Sequence, residues 1–109
     1  MVECNPQLDL LFAALADSTR RHILARVAEA ELTIGEIARD YGLTFAAISK
    51  HIKVLQKAGL VSKRRRGKEQ LVIIVPDNLQ VAQEHIARYA ALWEQRFDQL
   101  ETLLKSTEE

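Results

Sequence analysis

The sequence predicts a mostly helical domain with one small β-hairpin, in the order α-α-α-α-β-β-α. Three observations carry that reading. Apolar residues recur at helical spacing in four stretches before residue 58, three of them headed by a capping residue; a β-branched run follows a glycine and a cluster of cations; and one unbroken helical pattern fills the last third. With 109 residues, 48% hydrophobic and 28% charged, the chain has enough apolar side chain for one core, so residues 1–109 read as a single domain.

In the first helix, over residues 7–16, Leu8, Leu11, Phe12 and Leu15 form one apolar stripe behind Pro6. Asp17 then caps a second helix whose inner face is Ile23, Leu24 and Val27. Thr33 and Glu36 stand three apart as a capping box for the third, with Ile37, Ala38 and Tyr41 inward and Gly42 as its stop. Only Leu43 and Thr44 separate that stop from the fourth helix. Thr44 is its natural N-cap and Gly59 its C′ residue, which places it over about residues 45–58.

Successive residues 100° apart put Phe45, Ile48, Ile52 and Leu55 on one face of this helix and Ala46, Lys50, Lys53 and Lys57 on the other, with Ala47 and Ser49 flanking the basic side. Two helices joined by so tight a turn, the second basic on its outside, make a helix-turn-helix over residues 33–58. Short side chains at Ala46, Ala47 and Ser49 let the backbone approach base edges of a double-stranded DNA groove. The lysines further along reach phosphates or guanine acceptors.

A wing follows over residues 60–75. Leu60 to Lys63 and Glu69 to Val75 read as two strands, joined by a turn of Arg64, Arg65, Arg66, Gly67 and Lys68, and Pro76 ends the second. Cations packed this closely repel one another unless an anion lies near, and DNA phosphate supplies one.

From Asp77, a helix N-cap behind Pro76, nothing interrupts the pattern to about Lys105. Ile86, Ala90, Trp93, Phe97, Leu100 and Leu104 fall at alternating spacings of four and three, a heptad seam. A helix over 77–105 is too long for so small a domain to cover. The seam therefore predicts a two-fold partner, with Trp93 and Phe97 as central anchors.

Formal net charge is +0, yet residues 20–68 hold twelve Lys/Arg against four Asp/Glu, so the neutral total hides a dipolar molecule. The single cysteine, Cys4, rules out an intramolecular disulfide. No signal peptide, bilayer-length apolar run or internal repeat is present. The expectation is a cytoplasmic protein with no membrane partner. Ser18, Ser49, Ser62 and Ser106 lack a nucleophile motif and no glycine-rich phosphate loop occurs, which argues against an enzyme.

LADSTRRHIL at 15–24, ELTIGEIARDYGL at 31–43 and TFAAISKHIKVLQKAGLVSKRRRGK at 44–68 resemble, in order and spacing, the signatures of the ArsR/SmtB winged-helix repressors. The resemblance implies a homodimer joined through its first and last helices that binds inverted repeats near promoters and usually represses. It implies that Ser49, Lys50, His51 and Lys53 on the reading helix, and Arg64 to Lys68 on the wing, match the family's DNA contacts; Thr44, Ala46 and Ala47 complete the expected surface. His51 lies beside the buried face, part packing residue and part phosphate donor.

Many members of that family sense metals, and here the chain departs from them. Their third-helix cysteines fall at Thr33 and Gly35, neither of which binds a soft metal. Their last-helix site falls at Asp77, Asn78 and Leu79, followed only by His85 and Arg88, so no metal site and no cofactor are expected. The closing RYAALWEQRFDQLETLL is similar to a metal-independent subgroup. An unknown small-molecule or protein effector remains open, as do two other readings: a winged-helix protein-interaction module, and a repressor responding to metal or thiol chemistry at a non-standard site involving Cys4.

Overall fold

The structure, a computed structural model, describes residues 5–107, so Cys4 lies outside the described residues. Described residues up to Leu79 form one compact unit and those from Gln80 another. The first holds α1 (Pro6–Leu15), α2 (Ser18–Glu29), β1 (Leu32–Thr33), α3 (Ile34–Tyr41), α4 (Phe45–Lys57), β2 (Val61–Arg66) and β3 (Glu69–Ile74). The second consists of all but the first turn of α5 (Asp77–Thr107).

The helix boundaries follow from local hydrogen bonding. The Asn5 side chain accepts from the Leu8 amide at 3.1 Å, with Pro6 in the first turn. Asp17 accepts from the Arg20 amide at 3.0 Å, and Thr33 and Glu36 exchange both capping-box bonds. Thr44 accepts from the Ala47 amide at 3.1 Å. Gly42 (φ 62°) and Gly59 (φ 73°) hold the left-handed conformation that ends α3 and follows α4. A Cβ at Gly59 would run into the Asn78 amide, so both space and backbone require glycine there. The C-terminal carbonyls of α1 are closed from α2: Arg20 donates to Ala13 and Ala14 at 3.0 and 2.9 Å, and Arg21 to Leu15 at 2.7 Å.

Leu11, Ile23, Ile37, Ile48, Ile52, Leu55, Leu60 and Val72 are fully buried and form the centre of the core. The sheet is antiparallel in the order β1-β3-β2, with Leu32 opposite Val72 and Val61 opposite Ile74.

Several expectations change. A third strand, β1, precedes α3. The hairpin ladder continues to Arg66 opposite Glu69, so Arg64, Arg65 and Arg66 lie in β2 and the turn shrinks to Gly67 (φ 63°) and Lys68. Pairing with β3 satisfies backbone groups that an open turn would leave to water. Phe45, placed by periodicity with the core residues, is 60% exposed. Asp77 is the first residue of α5 rather than its cap. Tyr41 is half-buried and stands edge-on to His22 at 5.3 Å; burial raises the pKa of its phenol.

The α5 helix is 31 residues, about 46 Å at 1.5 Å per residue. Ile86, Ala90, Trp93, Phe97, Leu100 and Leu104 are all exposed.

Candidate nucleic-acid interface

The reading helix α4 is sharply two-faced. Ile48, Ile52 and Leu55 are completely buried, whereas Ala46, Lys50, Lys53 and Lys57 on the opposite side are exposed, and Ala47 and Ser49 are half-buried at the margin. Both ends are held. At its start the Thr44 hydroxyl oxygen caps the first turn, and its own proton remains available to a phosphate. At its end Gln7 of α1 donates to the Ala58 carbonyl at 3.0 Å, and Asn78 in the first turn of α5 reaches the Ala58 and Gly59 carbonyls at 3.3 Å. These bonds fix the helix on which the lysines are carried.

His51 faces α2 rather than open solvent: its Nδ1 lies 3.8 Å from the Asp17 carboxylate. The Arg20 amide bonded to that carboxylate, with the Arg20 and His51 charges nearby, holds the Asp17 pKa below its ordinary 3.8.

The wing arginines differ from one another. Neighbouring residues on a strand point to opposite faces, which separates Arg65 from Arg64 and Arg66. Arg64 pairs with Glu31 at 2.9 Å and Arg66 with Glu69 at 3.6 Å. Among the described residues Arg65 donates only to the Gly67 carbonyl, at 3.1 Å. Among the described residues no carboxylate pairs with Arg65, Lys50, Lys53, Lys57, Lys63 or Lys68, leaving six cations around the helix and wing open to an external anion.

Some features escaped the sequence reading. Phe45 and Leu43, 60% and 43% exposed, add an apolar element to the start of the reading helix. On α5, Tyr89, Leu92 and Leu103 widen the seam into a broad apolar face, which the three- and four-residue steps from Tyr89 to Leu92 and Trp93 and from Leu100 to Leu103 could have indicated. Leu11 is 1% exposed and has no surface to offer a partner, which leaves Leu8, Phe12 and Leu15, all half-buried, from the stripe on α1.

Thr33 is buried and its hydroxyl oxygen is taken by the Glu36 amide, while Gly35 has no side-chain donor. The Arg88 guanidinium lies 3.0 and 3.2 Å from the two ring nitrogens of His85. Among the described residues no three His, Cys, Asp or Glu side chains gather as a metal would require, and no helix is long and apolar enough to cross a membrane.

The family model described as "Bacterial regulatory protein, arsR family" matches residues 17–63, from the cap of α2 into β2. The chain is 38% identical over 81 residues to the HTH-type transcriptional regulator Rv2034 of Mycobacterium tuberculosis, covering 74% of this chain and 76% of that one. It is 45% identical over 76 residues to the uncharacterized HTH-type transcriptional regulator YuzN of Bacillus subtilis, covering 63% and 83%. The solved structure of an ArsR-like transcriptional regulator from Rhodococcus sp. RHA1 superposes with a TM-score of 0.81 at 29% identity, covering 92% of each chain.

Proposed function

Because this chain belongs to the ArsR family, whose members are DNA-binding transcriptional regulators and not enzymes, we propose that it acts in the cytoplasm as a homodimeric repressor of an inverted-repeat operator. One observation carries the reading: three exposed lysines stand opposite three fully buried aliphatic residues on a helix capped at both ends, beside a wing bearing further unpaired cations. The apolar face of the helix enters its own core and the basic face is left for an anion.

In this reading Ala46, Ala47, Ser49 and Lys50 approach base edges, while Thr44, Lys53, Arg65 and Lys68 hold phosphates on either side. His51 serves the site from behind, seated against Asp17. Dimerisation runs through Ile86, Ala90, Trp93, Phe97, Leu100 and Leu104 of α5, with Leu8, Phe12 and Leu15 of α1 contributing. Two copies of the reading helix then require half-sites about one duplex turn, or a multiple of it, apart. If the dimer has a small-molecule or protein effector, the aromatic part of the α5 face is where binding would shift the population of DNA-competent dimers.

Footprinting on the chain's own upstream DNA, beside sedimentation at micromolar concentration, tests this. A dyad-symmetric footprint and a dimer are expected. A monomer, or protection without dyad symmetry, would refute the two-fold reading.

A further inference from the structure

We propose that Phe45 is a specificity residue that packs its ring against the 5-methyl group of a thymine in the major groove. The inference rests on the DNA-binding reading and adds a contact to it. Phe45 opens α4 directly after its Thr44 cap, and although its angle on the helix is that of a core residue, its ring is 60% exposed. The next apolar residues along that face, Ile48 and Ile52, are completely buried. The first turn of α4 thus projects past the edge of the core, and Phe45 projects with it.

Its surroundings decide what it can meet. Phe45 heads an i, i+4 row that continues through Ser49 to Lys53, so a row that begins at the core angle leads round the helix to the lysines. Helical side chains lean toward the N-terminus, which carries the ring ahead of the helix, the end that enters a major groove first. Leu43 in the preceding turn and Ala46 beside it are exposed and apolar as well, so this end of the helix presents apolar surface where Lys50, Lys53 and Lys57 further along present charge. A phenyl ring can neither bind a phosphate nor exchange hydrogen bonds with a base edge. The apolar group that a duplex presents in its major groove is the thymine methyl.

The test begins with duplexes selected by the wild-type protein from a random pool. Each thymine of the selected site is then replaced in turn by deoxyuridine, which removes only the methyl, and affinity is read by fluorescence anisotropy. Wild-type protein should lose about fourfold at one thymine per half-site, the worth of one buried methyl group. Phe45→Ala should bind the thymine site no better than wild type binds the uracil site, and should be indifferent to that one replacement while responding normally to others. Phe45→Leu, which keeps apolar contact, should retain part of the discrimination. Because the ring is exposed, circular dichroism and melting of Phe45→Ala should match wild type. Wild-type indifference to every replacement, or undiminished thymine preference in Phe45→Ala, would overturn the proposal. If the wild-type protein enriches no duplex at all, the DNA-binding reading fails and this contact with it.

Discussion

Arg65 should account for more of the salt dependence of DNA binding than Arg64, though the two are adjacent and chemically identical. Arg64 enters the encounter with a partner, the Glu31 carboxylate at 2.9 Å, and must exchange it for phosphate. Arg65, among the described residues, gives up only a bond to the neutral Gly67 carbonyl. Each phosphate neutralised contributes about 0.9 to the slope of log affinity against log salt, so losing Arg65 from both protomers of a dimer should flatten that slope by about 1.8. Over a fourfold rise in salt, from about 50 to 200 mM, wild type should lose about twelvefold more affinity than Arg65→Gln.

Arg64→Gln should flatten the slope by less than half as much. Glu31→Gln, which releases Arg64 to the duplex, should tighten binding at low salt. The exposed Arg64–Glu31 pair is worth at most about 1 kcal/mol to the fold, so these variants remain folded and comparable. The assay is anisotropy on one duplex at five salt concentrations. A wild-type slope for Arg65→Gln, or equal slopes for the two arginine variants, would refute the assignment of roles within the wing.

Four other outcomes are expected. Ser49→Ala or Lys50→Ala should cost roughly 1–3 kcal/mol on a selected site and less on random duplex, since base contacts carry specificity; equal losses on both DNAs would show that α4 does not read bases. Trp93→Ala should move the monomer–dimer midpoint to higher concentration and weaken DNA binding in parallel, as measured by sedimentation and anisotropy on the same samples. Zinc, nickel, cadmium or arsenite should change operator affinity by less than about tenfold against a chelator control, a coupling of about 1.4 kcal/mol; a larger change would point to a site using Cys4 or His85 across two protomers. The Asp17 and Glu36 carboxyls are held below their ordinary values of 3.8 and 4.5 chiefly by amide bonds from Arg20 and Thr33, so their stabilisation is complete above those values and is lost as pH falls through the lower folded ones. The urea midpoint should therefore hold steady above about pH 5.5 and fall below pH 4.5, less steeply in Asp17→Asn, which keeps a cap but cannot titrate.

The caps of α2, α3 and α4 were legible because each joins residues three apart: Asp17 to Arg20, Thr33 to Glu36, Thr44 to Ala47, with Gly42 and Gly59 closing the ends. The lysine face of α4 was legible for a related reason, since periodicity reports the angle of a side chain about the helix axis. It does not report position along that axis, and this is why Phe45, at a core angle but one turn beyond the core, was misplaced. The errors in the sheet and the wing share a second cause. The β1 strand is two residues long and exists through Val72 and Leu71, far along the chain. The arginines of β2 read as a turn because nothing local pairs them, whereas the ladder carries them to Leu71, Gln70 and Glu69. Arg64 and Glu31 lie 33 residues apart, so no window of sequence could show that one wing cation is neutralised while its neighbour is not. For a basic surface this is the part that matters, because affinity depends on the cations left unpaired once the fold has brought its own carboxylates near, and only the folded chain settles which those are.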